Sequence, residues 1–261
     1  VGQSGRQFVW MPKQDLPTSR IETPLSKGVN RFILDLGANI TSRLDVAPDI
    51  ARAIGVGGAI IPLIGTQGLS IAAEPDSELS AAIRGLRDQG RRVMLAIPEL
   101  PVDPGSLRKT DDVVSILTNE SAWRERLFAV LDRQGQKVRH WLLGDLASPR
   151  VVQPDTAALS QARDELASLV PDLVVALPWQ PEVAASPVLT SPALGMTMLK
   201  IDPRYGPVAI DEIVDAWTEG PAQSETSPDL NLVFDALDAP RHSHTWSDSH
   251  LAKLAVAYAE S

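Results

Sequence analysis

SAWRERLFAVLDRQGQKVRHWLLGDLAS, residues 121–148, holds one helix and one strand in succession, and the chain repeats that unit along its length. Residues 121–134 carry helical apolar spacing, Gly135 stands at the stop position, and VRHWLLGD (138–145) is a continuous apolar run. A run without polar alternation is what a parallel strand needs when both of its faces are covered.

Outward from this unit, similar runs occur at RFILDLG (31–37), GAIIPLI (58–64), RVMLAI (92–97), LVVALP (173–178), TMLKID (197–202) and NLVFDA (231–236). Helical spacing fills 42–54, 76–89, 156–169, 211–217 and 247–259, with Leu79, Ile83 and Leu86 as one example of a buried stripe. Asp76, Ser121 and Ser247 fit helix N-caps, and Gly55 and Gly90 fit stops in the way Gly135 does. Strict alternation of this kind leaves two architectures, a closed barrel or an open doubly wound sheet.

Two features favour the barrel. No G-x-G-x-x-G loop follows the first strand, where Leu36-Gly37-Ala38-Asn39 stands instead. Polar and aromatic residues also gather after nearly every strand, at Asp35, Glu99, Asp145, Trp179, Asp202 and Asp235, whereas an open sheet concentrates them at one switch point. The expected fold is therefore an α/β barrel of the (β/α)8 type, incomplete or irregular at its eighth strand. Residues 31–261 would form it, and residues 1–30 would be an N-terminal extension whose segment QFVWM (7–11) could supply the missing strand.

Composition bounds the function. The 261 residues, 44% hydrophobic, suffice for one well-cored domain. A net charge of −9 disfavours anionic partners and gives no basic footprint for nucleic acid. The absence of cysteine removes thiolate catalysis, cysteine-ligated zinc and disulfides. No apolar stretch of about eighteen residues predicts membrane insertion, and no signal-peptide pattern opens the chain. The start at Val1 suits a piece of a longer protein with further domains, and the 21 prolines with few lysines suit the periplasm or cell envelope.

The stretch 121–148 resembles the corresponding part of clan A glycoside hydrolases, in which a helix beginning near a tryptophan leads to a strand of the form W-x-x-G-N-E. Trp141 and Gly144 match that form, whereas Asp145 occupies the Asn position and Leu146 the Glu position. In the family this Glu is the general acid/base and the Asn binds the sugar 2-hydroxyl. The resemblance therefore implies a barrel that binds a poly- or oligosaccharide, with its acid/base replaced by a leucine that cannot move a proton. The seventh strand, LVFDALD, puts Ala236 where the family has its nucleophile, and a one-residue slip puts Asp235 there. The segment HTWSDSHLAKLAVAYAES (244–261) resembles the family's next helix.

A retaining enzyme holds its two carboxyl groups about 5–5.5 Å apart, and an inverting one about 6.5–9.5 Å. Two aspartates, each a methylene short of glutamate, suit the wider spacing, so Asp145 with Asp235 forms a conceivable inverting pair. The alternative is that both cap or salt-bridge strand ends. Trp179 and Trp246 are candidates for stacking on a sugar ring, or else pack in the core or rim. Trp10 is a further such candidate, while Trp123 and Trp217 lie on helices and should pack against the barrel. Asp35, Glu99, Glu182 and Asp202 are candidate hydroxyl ligands or solvated loop residues, and Arg204 and Tyr205 follow the sixth strand in a turn. His242 and His244 form an H-x-H pair without a third ligand at fixed spacing, so no metal and no cofactor is expected.

Three functions remain. The first is carbohydrate recognition with weak or lost hydrolysis, linked to polysaccharide synthesis or export. The second is a working glycoside hydrolase using Asp145 and Asp235 or neighbouring loop carboxylates, and the third is a barrel scaffold for protein interaction.

Overall fold

The computed structural model describes residues 32–35, 44–54, 57–74, 77–100, 113–146, 155–179, 191–200, 212, 217 and 228–235. Within them lie seven strands: β1 (Phe32–Asp35), β2 (Gly58–Pro62), β3 (Arg92–Ile97), β4 (His140–Leu143), β5 (Val174–Trp179), β6 (Met196–Lys200) and β7 (Asp229–Asp235). The helices are α1 (Ala47–Ile54), preceded by a 3-10 turn at Leu44–Val46, α2 (Gly65–Ala73), α3 (Glu78–Asp88), α4 (Val113–Leu117), α5 (Glu120–Gln134) and α6 (Thr156–Ala167).

All neighbouring strands pair in parallel, and the sheet closes. Closure is made by β1 and β7, whose register runs from Phe32↔Leu232 to Asp35↔Asp235. The α/β barrel expected from the sequence is present, with one strand fewer than the usual eight. β1 and β7 pair directly, without a strand between them. β1 is already bonded to β2 and β7, and β7 to β6 and β1, so nothing fits between them. The segment 7–11 itself lies outside the described residues.

Strand alternation divides the core into two layers. One face of each strand points into the barrel, where Ile60, Met94, Ala96, Leu142, Ala176, Met196, Met198 and Val233 form a closed apolar cluster. The other face meets the helices through Ile61, Leu95, Trp141, Val175 and Leu177, among others. Three of the chain's four methionines fill the inner layer beside two alanines. Unbranched thioethers adapt to irregular gaps, which suits the narrow interior of a seven-stranded ring.

Helix boundaries depart from the sequence expectation where glycine or capping chemistry intervenes. α3 starts after Ser77, whose Oγ accepts from the Ser80 N–H, and Asp76 lies outside the described residues. α5 starts after Asn119, so Ser121 is inside the first turn and its hydroxyl donates to Asn119 Oδ1. The spacing argument has no helix at α2, because its sequence GTQGLSIAA carries two poor helix formers. Gly68 is needed there, since a Cβ would lie 2.8 Å from the Leu63 carbonyl carbon. α4 is too short and too uniformly buried to show a periodic stripe.

A polar knot ties three helices together. The side-chain amide of Gln134, fully buried at the end of α5, donates to the Ala72 carbonyl of α2 at 2.7 Å and to Ser80 Oγ of α3 at 3.4 Å. Lys137 Nζ donates to the same Ser80 oxygen at 3.3 Å.

At the N-terminal end of the barrel His140 is buried on the inner parity, opposite Met94 and Val174 in the register. Burial, followed by the nearby Arg92 and Arg139 guanidiniums, lowers its pKa from 6.5 to about 4, against a smaller opposing hydrogen bond to the Val93 backbone. Between these two values the unfolded chain takes up a proton that the folded chain refuses, so stability falls as the pH falls. The loss by pH 4 should reach about 3 kcal/mol. Urea unfolding at pH 7 and pH 4.5 should show His140→Gln losing less stability on acidification than the parent. Equal losses in the two proteins would refute the assignment.

Candidate functional site

In a parallel barrel the C-terminal strand ends form a mouth, and loops rising from them supply the chemistry. The W-x-x-G element enters this mouth along β4. Trp141 is fully buried on the outward face, among the helix-facing residues, and its indole N–H donates to the Val138 carbonyl at 2.9 Å. It is a wedge between sheet and helices. Gly144 keeps the strand paired, donating to the Ile97 carbonyl at 3.0 Å, and adopts φ +120°. A side chain there would be strained by that φ and would meet Pro178 Cγ at 3.1 Å. Both residues that match the glycosidase pattern therefore serve the scaffold.

The turn at Gly144 brings Leu146 back to the inside, where it is 7% exposed and belongs to the inner cluster with Ile60, Leu142 and Met198. Asp145, just before it, is half-buried. Leu146 thus sits at the top of the barrel interior as a hydrocarbon.

Asp35 and Asp235 end adjacent strands at partnered positions, about one strand spacing of ~4.8 Å apart along the backbone. Asp35 is in register with Ile60, and Asp235 stands two residues beyond Val233. Both positions close their strands at the mouth end of the barrel. Asp145 follows β4, three strands from β7 one way round the ring and four the other.

Glu99 is exposed just beyond the end of β3. Trp179 ends β5 on the parity of Val175 and Leu177, packs against the helix-facing cluster and meets Trp217 at a centroid distance of 5.1 Å and an interplanar angle of 57°. This is the geometry of an aromatic pair between sheet and helix layer. Trp217 and Trp123 are buried in the same outer cluster, as their helical positions imply. Glu182, Asp202, Arg204, Tyr205, Trp246, Trp10, Ala236 and the His242/His244 pair lie outside the described residues. Among the described residues no group of three His, Asp or Glu converges on a metal position, and no helix is long and apolar enough to cross a membrane.

These features define a parallel α/β barrel whose mouth combines strand-end aspartates with an apolar plug. No family model matches the chain, and no curated protein matches it. Among solved structures it is similar to a family 39 glycoside hydrolase from Bacteroides cellulosilyticus WH2, at 12% identity and TM-score 0.47, over 68% of this chain and 39% of that one. It is also similar to the α-L-fucosidase AlfC from Lactobacillus casei, at 10% identity and TM-score 0.48, over 93% and 97% of the two chains. Triosephosphate isomerase from Bartonella henselae follows at 11% identity and TM-score 0.39, over 78% and 82%. The chain spans about two fifths of the family 39 enzyme's length. The barrel rests on its own strand pairing, and none of these likenesses is close enough to transfer a function.

Gly144→Ala tests the turn that aims Asp145 and Leu146. It should destabilise the fold by about 1–3 kcal/mol, through strain at positive φ and the contact with Pro178. Chemical denaturation measures this, and an unchanged midpoint would show that the turn relaxes freely.

Proposed function

We propose that the chain is a glycoside hydrolase-like carbohydrate-binding domain whose hydrolytic activity is weak or lost. The observation that carries this reading is Leu146, buried in the inner cluster at the aligned acid/base position. Protonation of a leaving glycosidic oxygen needs a titratable group held within hydrogen-bond reach, and a leucine supplies none. The strand-end aspartates Asp35, Asp145 and Asp235 remain as acceptors for sugar hydroxyls, a task that needs no proton transfer. Glu99, Glu182, Asp202, Arg204, Tyr205 and Trp246 are further candidates by their chain position after strands. Trp179 is the weakest member of the set, because its contacts with Trp217 and the outer cluster occupy the indole. A binding domain of this kind would serve polysaccharide synthesis or export at the cell envelope, within a longer protein.

A second reading keeps hydrolysis. Asp235, which ends the seventh strand, would be its carboxylate, with Asp145, which follows β4, as its partner across the mouth. Such a pair would act by inversion, with a water between the two groups.

The two readings separate in one assay. Reducing-sugar release and equilibrium binding are measured on a panel of neutral and acidic polysaccharides, for the parent, Asp145→Asn and Asp235→Asn. Binding without turnover is the expected result. Turnover reduced a hundredfold or more by either substitution would establish the second reading, and failure to bind any glycan would sink both and leave the barrel as an interaction scaffold.

A further inference from the structure

At the end where the strands begin, the barrel interior is crossed by a contact between two distant strands. Arg92, at the start of β3, reaches Met196, at the start of β6, and its Nη1 donates to Sδ at 3.7 Å. β4 and β5 stand between those strands, so the contact runs across the ring rather than between neighbours. Met94 and Met198 each lie two residues further along the same two strands, fully buried in the inner cluster that Met196 also joins. Of these three thioethers Met196 is the outermost, and it has a guanidinium against its sulfur.

Solvent comes close to this sulfur from two sides. Arg92 is half-buried and lines a recess beside the strand starts. Gly195, directly before Met196, is exposed, and a Cβ there would lie 2.7 Å from Val174 Cγ1. The position therefore excludes a side chain that would shield the start of β6. Met196 itself is 2% exposed, so a small neutral oxidant reaches Sδ through a slight local opening of the strand start. Access to Met94 and Met198, both at 0%, requires the barrel itself to open.

We propose that Met196 is a modification site, oxidised to its sulfoxide by a peroxide and held in that state by Arg92. A sulfur lone pair attacks one peroxide oxygen, the S–O bond forms as the O–O bond breaks, and the departing hydroxide takes the proton of the transferred hydroxyl and leaves as water. Sulfur loses two electrons and the peroxide gains them. Arg92 gives up no proton and stays charged. A sulfoxide oxygen is a much stronger acceptor than a thioether sulfur, so the existing weak contact becomes a charge-assisted hydrogen bond. In the layer of Met94 and Met198 the same oxygen would be a polar group buried among hydrocarbon, which disrupts a core. Sulfoxide reductases return the thioether, so the change is reversible.

Hydrogen peroxide is the probe, applied to the folded chain, with oxidation at each methionine followed by peptide mass spectrometry. Met196 should oxidise about tenfold faster than Met94 and Met198, or more, and the three rates should converge in concentrated urea. Thermal unfolding of the protein oxidised at this position then reads the Arg92 contact. Oxidation should lower the midpoint less in the parent than in Arg92→Leu, where the sulfoxide lacks its donor. Met196→Leu, a volume-conserving change, should make the midpoint insensitive to the same dose of peroxide. Met94 or Met198 oxidising as fast as Met196 in the folded chain would overturn the proposal. So would an equal loss of midpoint in the parent and in Arg92→Leu, and if that variant does not fold, the rates in the parent decide alone. None of these outcomes depends on whether the mouth binds or cleaves sugar.

Discussion

The hydrogen bonding of β1 to β7 is the constraint on which the rest of the molecule depends. Seven parallel strands left open would expose two edges of unpaired N–H and C=O groups, and would have no inside. Closure removes both edges at once and creates an interior that only side chains of one parity can enter. The ring is narrow, and its filling reflects that: alanines at 96 and 176 and methionines at 94, 196 and 198 take the inner positions. The bulkier Trp141 and Trp123 are excluded to the helix-facing layer. The same closure brings Asp35 and Asp235, two hundred residues apart in the chain, to partnered positions at the mouth.

The W-x-x-G element is fixed by packing and backbone geometry. Trp141 is retained by packing and by its hydrogen bond to Val138, and Gly144 by a backbone conformation and the approach of Pro178. Neither requirement involves a substrate. Position 146, by contrast, faces the barrel interior, where an apolar side chain is at least as well accommodated as an acid. A leucine there lengthens the apolar core by one layer and removes the cost of holding a carboxyl group beside Ile60 and Met198.

The chain is acidic as a whole, yet Arg92 and Arg139 act on the buried His140 at the starts of β3 and β4. Net charge is an average. The low pKa of His140 records the local field that the average conceals.

The sequence by itself determined the repeating unit. Uninterrupted Val/Ile/Leu runs demand parallel strands covered on both faces, and Gly90 and Gly135 mark where helices stop, because those requirements are local. The strands at 92–97 and 138–145 were legible for that reason, as was the burial of Trp123. Strand number at closure, the inward placing of Leu146, the outward packing of Trp179 against Trp217, and the burial of His140 beside Arg92 were decided only by tertiary structure. Each depends on register between strands distant in sequence, and a shift of one residue exchanges the inner face for the outer. No local pattern carries that information, so the residues at the mouth and at the opposite end acquire their neighbours only when β1 meets β7.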